Sequence, residues 1–203
     1  MWRRQPPKYF EYMDPREIKA NLRAAIAQRL ERMTEKDRAA ESRSLCRRIL
    51  EALPEEPSVI CAFYPLKDET DIRPLLQEII AHGHALSLPR KEGNHFVFRR
   101  VDSVEGLSQD DFRVPAPAAD APLLKAEECT LALIPARAYD RKGNRLGRGN
   151  GGYDHWIREQ RKQNANTQFW GVALECQIVQ EIPMEAHDER VDGIITARGF
   201  SRT

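Results

Sequence analysis

Short apolar runs alternating with helical patterns constrain the fold of this chain more than any other feature. Val59-Ile-Cys-Ala-Phe-Tyr64 reads as a buried strand, and Ile72, Leu75, Leu76, Ile79 and Ile80 recur at helical spacing until Gly83. Ala85-Leu-Ser-Leu88 is a second strand closed by Pro89, which completes a βαβ unit. His95-Phe-Val-Phe98, Thr130 to Ile134, Phe169 to Leu174 and Gly193 to Thr196 read as further strands. Strands alternating with helices predict an α/β fold: one three-layer domain with a mostly parallel sheet and helices on both faces.

Two helices precede the first strand. Asp14 is placed to cap the first, with Pro15 at its opening position, Glu17 as capping-box partner, and Ile18, Leu22, Ile26 and Leu30 on one face. The second opens at Thr34, carries Leu45, Ile49 and Leu53, and is stopped by Pro54. Together they are expected to form a helical hairpin. Residues 1–13 read as a flexible tail outside the 14–203 domain.

At 203 residues the chain can bury a core without staples, roughly 70% of its unfolded surface. Its 32 Lys and Arg nearly cancel 31 Asp and Glu, so no global field pulls it toward nucleic acid or an anionic membrane. Any anion site must be local. Cys46, Cys61, Cys129 and Cys176 show no C-x-x-C spacing, which argues against a zinc site and a disulfide framework and predicts a reducing, cytoplasmic setting. No stretch approaches the roughly 20 apolar residues of a membrane span.

Chemistry concentrates between the strand at Thr130–Ile134 and a helix expected to start near Asp154. Gly143, Gly147, Gly149, Gly151 and Gly152 fall there, five of the chain's eleven glycines, together with Arg141, Lys142, Arg145 and Arg148. Glycines let backbone amides approach an anion, a following helix adds its positive end, and guanidiniums match phosphate oxygens. A polyphosphate cradle is one reading; a solvated surface loop is the other. Gly147, Gly149 and Gly152 spell G-x-G-x-x-G, but too far beyond the strand for a dinucleotide fingerprint, and no Walker A pattern occurs.

The run Ile134-Pro-Ala-Arg-Ala-Tyr-Asp140 followed by Gly143-Asn-Arg-Leu-Gly-Arg-Gly-Asn-Gly-Gly-Tyr-Asp154 resembles the signature of the 5-formyltetrahydrofolate cyclo-ligase (5,10-methenyltetrahydrofolate synthetase) family, PG-x-x-FD and then RLG-x-G-x-GYYD. Lys19-Ala-Asn-Leu-Arg23 is similar to its K-x-x-LR helix, and Tyr64-Pro-Leu-Lys-Asp-Glu-Thr-Asp71 to its strand-end glutamate segment. Leu88-Pro-Arg90, Val114-Pro-Ala-Pro117, Gly171 to Gln177, Ile182-Pro183 and His187-Asp188 through Val191-Asp192 follow in order, so the likeness runs from about residue 16 to 198.

The resemblance implies an ATP-dependent enzyme, a monomer taking ATP and a reduced folate as small-molecule substrates, with Mg²⁺. ATP would be bound by Lys19, Arg23, Arg145, Leu146, Gly147, Arg148, Gly149, Asn150, Gly151, Gly152 and Tyr153. Arg145, Arg148 and Tyr153 would be the catalytic residues, and Tyr64, Glu69, Arg148 and Gly152 would contact the folate. Asp154 and Asp192 would hold the metal. By residue type alone, Lys19 and Arg23 are equally a solvated face, Asp154 an N-cap, Asp192 a turn residue, and Glu69 the start of the next helix. His187 and Trp170 read as structural. Two departures stand in the active segment: the paired tyrosines are Gly152-Tyr153, and the Pro-Gly is Pro135-Ala136. A diverged enzyme on another N-formyl or carboxylate substrate, and a nucleotide-binding regulator without turnover, are the competing readings.

Overall fold

The computed structural model describes residues 14–93 and 95–203; the expected N-terminal tail, 1–13, lies outside the described residues. In chain order the elements are α1 (Pro15–Arg32), α2 (Glu35–Ala52), β1 (Val59–Cys61), α3 (Arg73–Ala81), β2 (Ala85–Glu92), β3 (His95–Val101), β4 (Ser108–Gln109) and β5 (Pro115–Ala116). There follow β6 (Cys129–Pro135), β7 (Ala138–Asp140), β8 (Arg145–Leu146), α4 (Gly152–Gln163), β9 (Gln168–Val172), β10 (Ile178–Val179), β11 (Gly193–Thr196) and β12 (Gly199–Arg202).

Seven strands form the central sheet in the order β12-β11-β9-β6-β1-β2-β3. The five inner strands are parallel, and β3 and β12 close the two edges antiparallel. Successive side chains point to opposite faces of a strand. Ile60, Leu131, Leu133, Val172 and Ile195 therefore meet α2 and α3 through Leu45, Ile49, Leu75, Leu76 and Ile79. Cys61, Ala132, Ile134, Phe169 and Ile194 turn the other way, toward Ile157 of α4. The expected three layers are present. Each large aliphatic side chain buried in them contributes about 1.5–3 kcal/mol.

Local signals explain the element boundaries. The Asp14 carboxylate accepts from the Arg16 amide at 2.9 Å, and the Thr34 hydroxyl accepts from the Asp37 amide at 3.1 Å. Pro89 does not close β2, which runs on to Glu92. Beyond Ser87 its only partner is β3, so it is an edge there, and an edge tolerates a missing N–H. The two N-terminal helices are both present, but they serve different parts of the core. α2 packs on α3 and the sheet, whereas Ile26 and Leu30 of α1 join Ala138, Leu146, Leu174 and Ile182.

That third cluster sits with a small sheet, β10-β7-β8, two of whose strands, β7 and β8, lie in the glycine-rich segment between β6 and α4. Its turn is organised by Asp140, fully buried, whose carboxylate accepts from the amides of Lys142, Asn144 and Ile182 and from the Asn144 side chain at 2.8–3.1 Å. Arg141 and Lys142 are exposed on this turn, and Lys142 pairs with Glu181 at 3.0 Å. Replacing Asp140 with Ala orphans these donors, so D140A is expected to lose about 2–4 kcal/mol of stability, read as a lower urea midpoint with an unchanged folded far-UV spectrum.

Candidate active site

Parallel α/β sheets gather ligands beyond the carboxyl ends of their strands, at the point where the strand order reverses. Here that point lies between β1 and β6, where Phe63 and Tyr64 leave one strand and Pro135 and Ala136 the other. Two cavities open there, and they differ in chemistry. One, of about 270 Å³, is lined by Arg16, Lys19, Arg23, Arg145, Leu146, Gly147, Gly149, Gly151, Asp154, Glu185, His187 and Asp188. The other, about 230 Å³, is walled by Phe63, Tyr64, Leu66, Pro89, Phe96, Phe112, Val114 and Tyr153, with Glu69, Lys91, Asp110, Arg148 and Asn150 among its polar groups. Arg145, Gly147, Gly151 and Asp154 line both.

The junction is an ion pair. Arg145 enters on β8, opposite Tyr139 of β7, and its Nη2 lies 2.7 Å from the Asp154 carboxylate. Both groups are buried, at 5% and 8% exposure, and Nη1 also reaches the Pro135 carbonyl at 3.5 Å. Arg145 Nε is buried with no partner among the described residues. A buried charged donor left unpaired is costly, and here the cost is offset by the bonds the same guanidinium makes through its Nη atoms. Asp154 is not the cap of α4. Gly151, in the left-handed conformation at φ 66°, holds that place, and Asp154 is the third helical residue, where a carboxylate faces the positive helix end.

In the charged cavity, Lys19 is buried rather than solvated, with Nζ 2.7 Å from Glu185 and 2.5 Å from Asp188. Arg23 donates from Nε to the Gly147 carbonyl at 2.9 Å, tying α1 to the glycine-rich turn. Burial alone would lower the Lys19 pKa, but hydrogen bonds and charge from Asp188 and Glu185 outweigh it and hold it above its ordinary value. Burial alone would raise Asp188; Lys19 and the Glu185 amide hold it below the usual carboxylate range. The Lys19 hydrogen bond lowers Glu185 likewise.

Arg148 lies on the apolar side, not in the charged cavity. It pairs with Asp68 and, at 3.1 Å, with Glu69, whose other oxygen accepts from the Leu66 amide at 2.9 Å. Burial would raise Asp68, but Arg148 and Arg137 hold its carboxyl below the ordinary range. Burial pushes the Tyr153 phenol well up, so it remains neutral. Tyr64 is half-buried in the wall, and Asn150 accepts from the Gly152 amide at 3.3 Å.

Asp192, expected at the metal, stands apart from both cavities. Its carboxylate accepts from the Phe169 amide at 2.8 Å and from Arg161 at 3.0 Å. Arg161 lies seven residues beyond Asp154 on α4, about 10 Å along the helix. Asp192 thus fastens β9, β11 and α4 at the opposite strand ends. The carboxylates that join Asp154 in the cavity are Glu185 and Asp188, and with His187 these two bring ligand atoms within 4.8 Å of one another. His187, read as structural from sequence, lines this cavity too. Spacing could not choose between two aspartates four residues apart. Also missed was Gln177, buried, which donates to the Ala136 and Arg137 carbonyls and accepts from Thr70, fixing the Glu69 segment to the β6 exit.

The Lys19 cluster has a pH signature. Depressed carboxylates contribute stability above their unfolded pKa and lose it as pH falls through the folded value; raised Lys19 contributes below its unfolded pKa and loses it above. Between these limits the cluster is fully formed. K19M is expected to be less stable at pH 7 and to show a shallower fall in stability on acidification below about pH 4.5 than the parent, in urea unfolding across pH 3–7.

The sequence profile of the 5-formyltetrahydrofolate cyclo-ligase family matches residues 15–197. The 5-formyltetrahydrofolate cyclo-ligase of Mycolicibacterium smegmatis is 30% identical over 92% of this chain and 96% of its own. A probable 5-formyltetrahydrofolate cyclo-ligase of Schizosaccharomyces pombe is 28% identical over 88% and 94%. The solved 5,10-methenyltetrahydrofolate synthetase of Aquifex aeolicus superposes with a TM-score of 0.77 at 28% identity, covering 91% of this chain and 92% of that one. With the family profile matched over residues 15–197 and the fold shared over nine-tenths of its length, this chain belongs to the 5-formyltetrahydrofolate cyclo-ligase family.

Proposed function

We propose that the protein converts 5-formyltetrahydrofolate to 5,10-methenyltetrahydrofolate with ATP, releasing ADP and phosphate. The observation that carries the reading is the meeting of a charged cavity and an aromatic cavity at the Arg145–Asp154 pair. A polyphosphate suits the first, and the second, with its aromatic walls and few polar groups, suits the ring systems of a folate, so the transferring phosphoryl group and the formyl group would meet at Arg145.

An amide-like formyl oxygen is a poor leaving group. In the proposed chemistry that oxygen attacks the γ-phosphorus and ADP departs, leaving an N5-iminium phosphate. N10 then attacks the formyl carbon, its proton is lost, and phosphate leaves with the former formyl oxygen. The protein's share is positioning and charge stabilisation, with no protein nucleophile. Lys19 and Arg23 would hold phosphate oxygens, and Arg145, which lines the same cavity, would add its charge there. Arg148, a short reach away on Asp68 and Glu69, would move onto the transferring group, and its release would free Glu69 to accept from N–H groups of the pterin.

The donor set also fits Mg²⁺, which favours oxygen ligands, one or two carboxylates at a time. Asp154 and Asp188 would hold it, and when bound it neutralises charge on the phosphate oxygens. Among the described residues no helix is long and apolar enough to cross a membrane, and the four cysteines are free, which supports a cytoplasmic setting.

The test is ATP-dependent growth of methenyl-folate absorbance with purified protein; ADP release without that absorbance would sink the folate assignment. R148A is expected to lower kcat on the order of 10²-fold. D188N and D154N should lower activity about as much and raise the Mg²⁺ concentration needed. D192N should lose stability and keep kcat within about threefold, separating the fastening aspartate from the cavity pair.

A further inference from the structure

Gly152 leaves room that another residue fills. A Cβ built on it would collide with the ring of Phe96, reaching Cδ2 at 2.8 Å and Cζ at 3.4 Å. Its backbone is not in the left-handed region, and the three atoms nearest that Cβ all belong to the ring. Phe96 comes from β3, across from α4, and lies with its centroid 5.3 Å from that of Tyr153. Neighbouring pairs fix this approach: His95 with His155 at 5.3 Å, and Phe98 stacked on Trp156 at 4.1 Å. Three successive ring pairs zip the edge strand onto the first turns of the helix, and Phe96 is the middle one, half-buried and facing the apolar cavity.

We propose that Phe96 is a specificity-determining residue of this enzyme, supplying from β3 the aromatic wall of the folate cavity that the family signature supplies from position 152. The proposal rests on the folate reading above. Flat rings are favoured against an aromatic wall by offset or edge contacts. Positions 96 and 152 are then a single ring site reached from two segments, and rings at both exclude one another. Gly152→Tyr in the present background is therefore not a gain of the missing tyrosine but a steric conflict.

Wild type, F96A, F96M, G152Y and F96A/G152Y are compared with folate varied at saturating ATP and with ATP varied at saturating folate. F96A and F96M are expected to raise KM for 5-formyltetrahydrofolate about tenfold, with kcat and KM for ATP within about twofold; F96M keeps the volume and so separates ring from packing. F96A/G152Y should recover the folate KM to within about threefold of wild type and outperform G152Y. A substrate-free cycle reads the steric half: G152A should lower Tm by about 3 °C or more with Phe96 present and leave it unchanged in F96A. No methenyl product from wild type overturns the folate reading and with it the assigned ligand. With product formed, an F96A folate KM within twofold of wild type, or a double variant no better than F96A, overturns the role of Phe96 alone. An equal G152A penalty in both backgrounds overturns the shared ring site.

Discussion

The Arg145–Asp154 ion pair is the constraint on which the site's geometry depends. It joins β8 to the first turn of α4 in a place where both charges are almost wholly removed from water. Such a pair is a weak source of stability, because desolvation offsets most of the attraction, while removing one partner leaves a buried charge uncompensated. Its value here is positional. Arg145 is held by strand pairing to Tyr139, and that strand's turn is held by four hydrogen bonds to Asp140. The ion pair carries this rigidity to the helix, and both cavities use the shared wall that results.

The large elements were legible because burial leaves a periodic mark. Inner strands two-sidedly buried read as continuous apolar runs, and Thr130–Ile134 and Gly193–Thr196 stand almost as expected. β12 was invisible, since Gly199-Phe-Ser-Arg202 lies at an edge with little apolar content to display. Strands of two or three residues, β7, β8 and β10, carry no period at all. They are set by Asp140 and Gln177, which reach across the sequence, Asp140 to Ile182 and Gln177 to Ala136. Periodicity also names a helix's apolar face without naming what it meets, which is why α1 and α2 were expected to pair and instead enter different clusters.

The site divides along the same line. The glycine-rich segment, Lys19, Arg23 and Glu69 could be picked out because they sit in contiguous patterns, and the structure brings them around one junction. The choice between Asp188 and Asp192 could not be made, because both follow the same stretch and only the chain's path sends one to the cavity and the other to Arg161. Phe96 lies in an ordinary edge strand with no motif around it. Its importance appears only when the space above Gly152 is found to be taken.

Charge balance explains how a nearly neutral chain makes an anion site. The charged cavity gathers Arg16, Lys19, Arg23 and Arg145 against Asp154, Glu185 and Asp188, so its cations are largely matched by acids before any ligand arrives. Such matching keeps a buried lysine and a buried arginine tolerable in the empty fold. It also means that a bare phosphate meets carboxylates as well as cations, and gains less than the count of basic residues suggests. A ligand must offer the acids something in exchange for Lys19 and Arg145. Polyphosphate accompanied by a divalent cation does so on both sides at once: its oxygens take the cations while the metal takes the carboxylates. On the proposed reading, the acids set among the basic residues would favour a complexed nucleotide over a free anion.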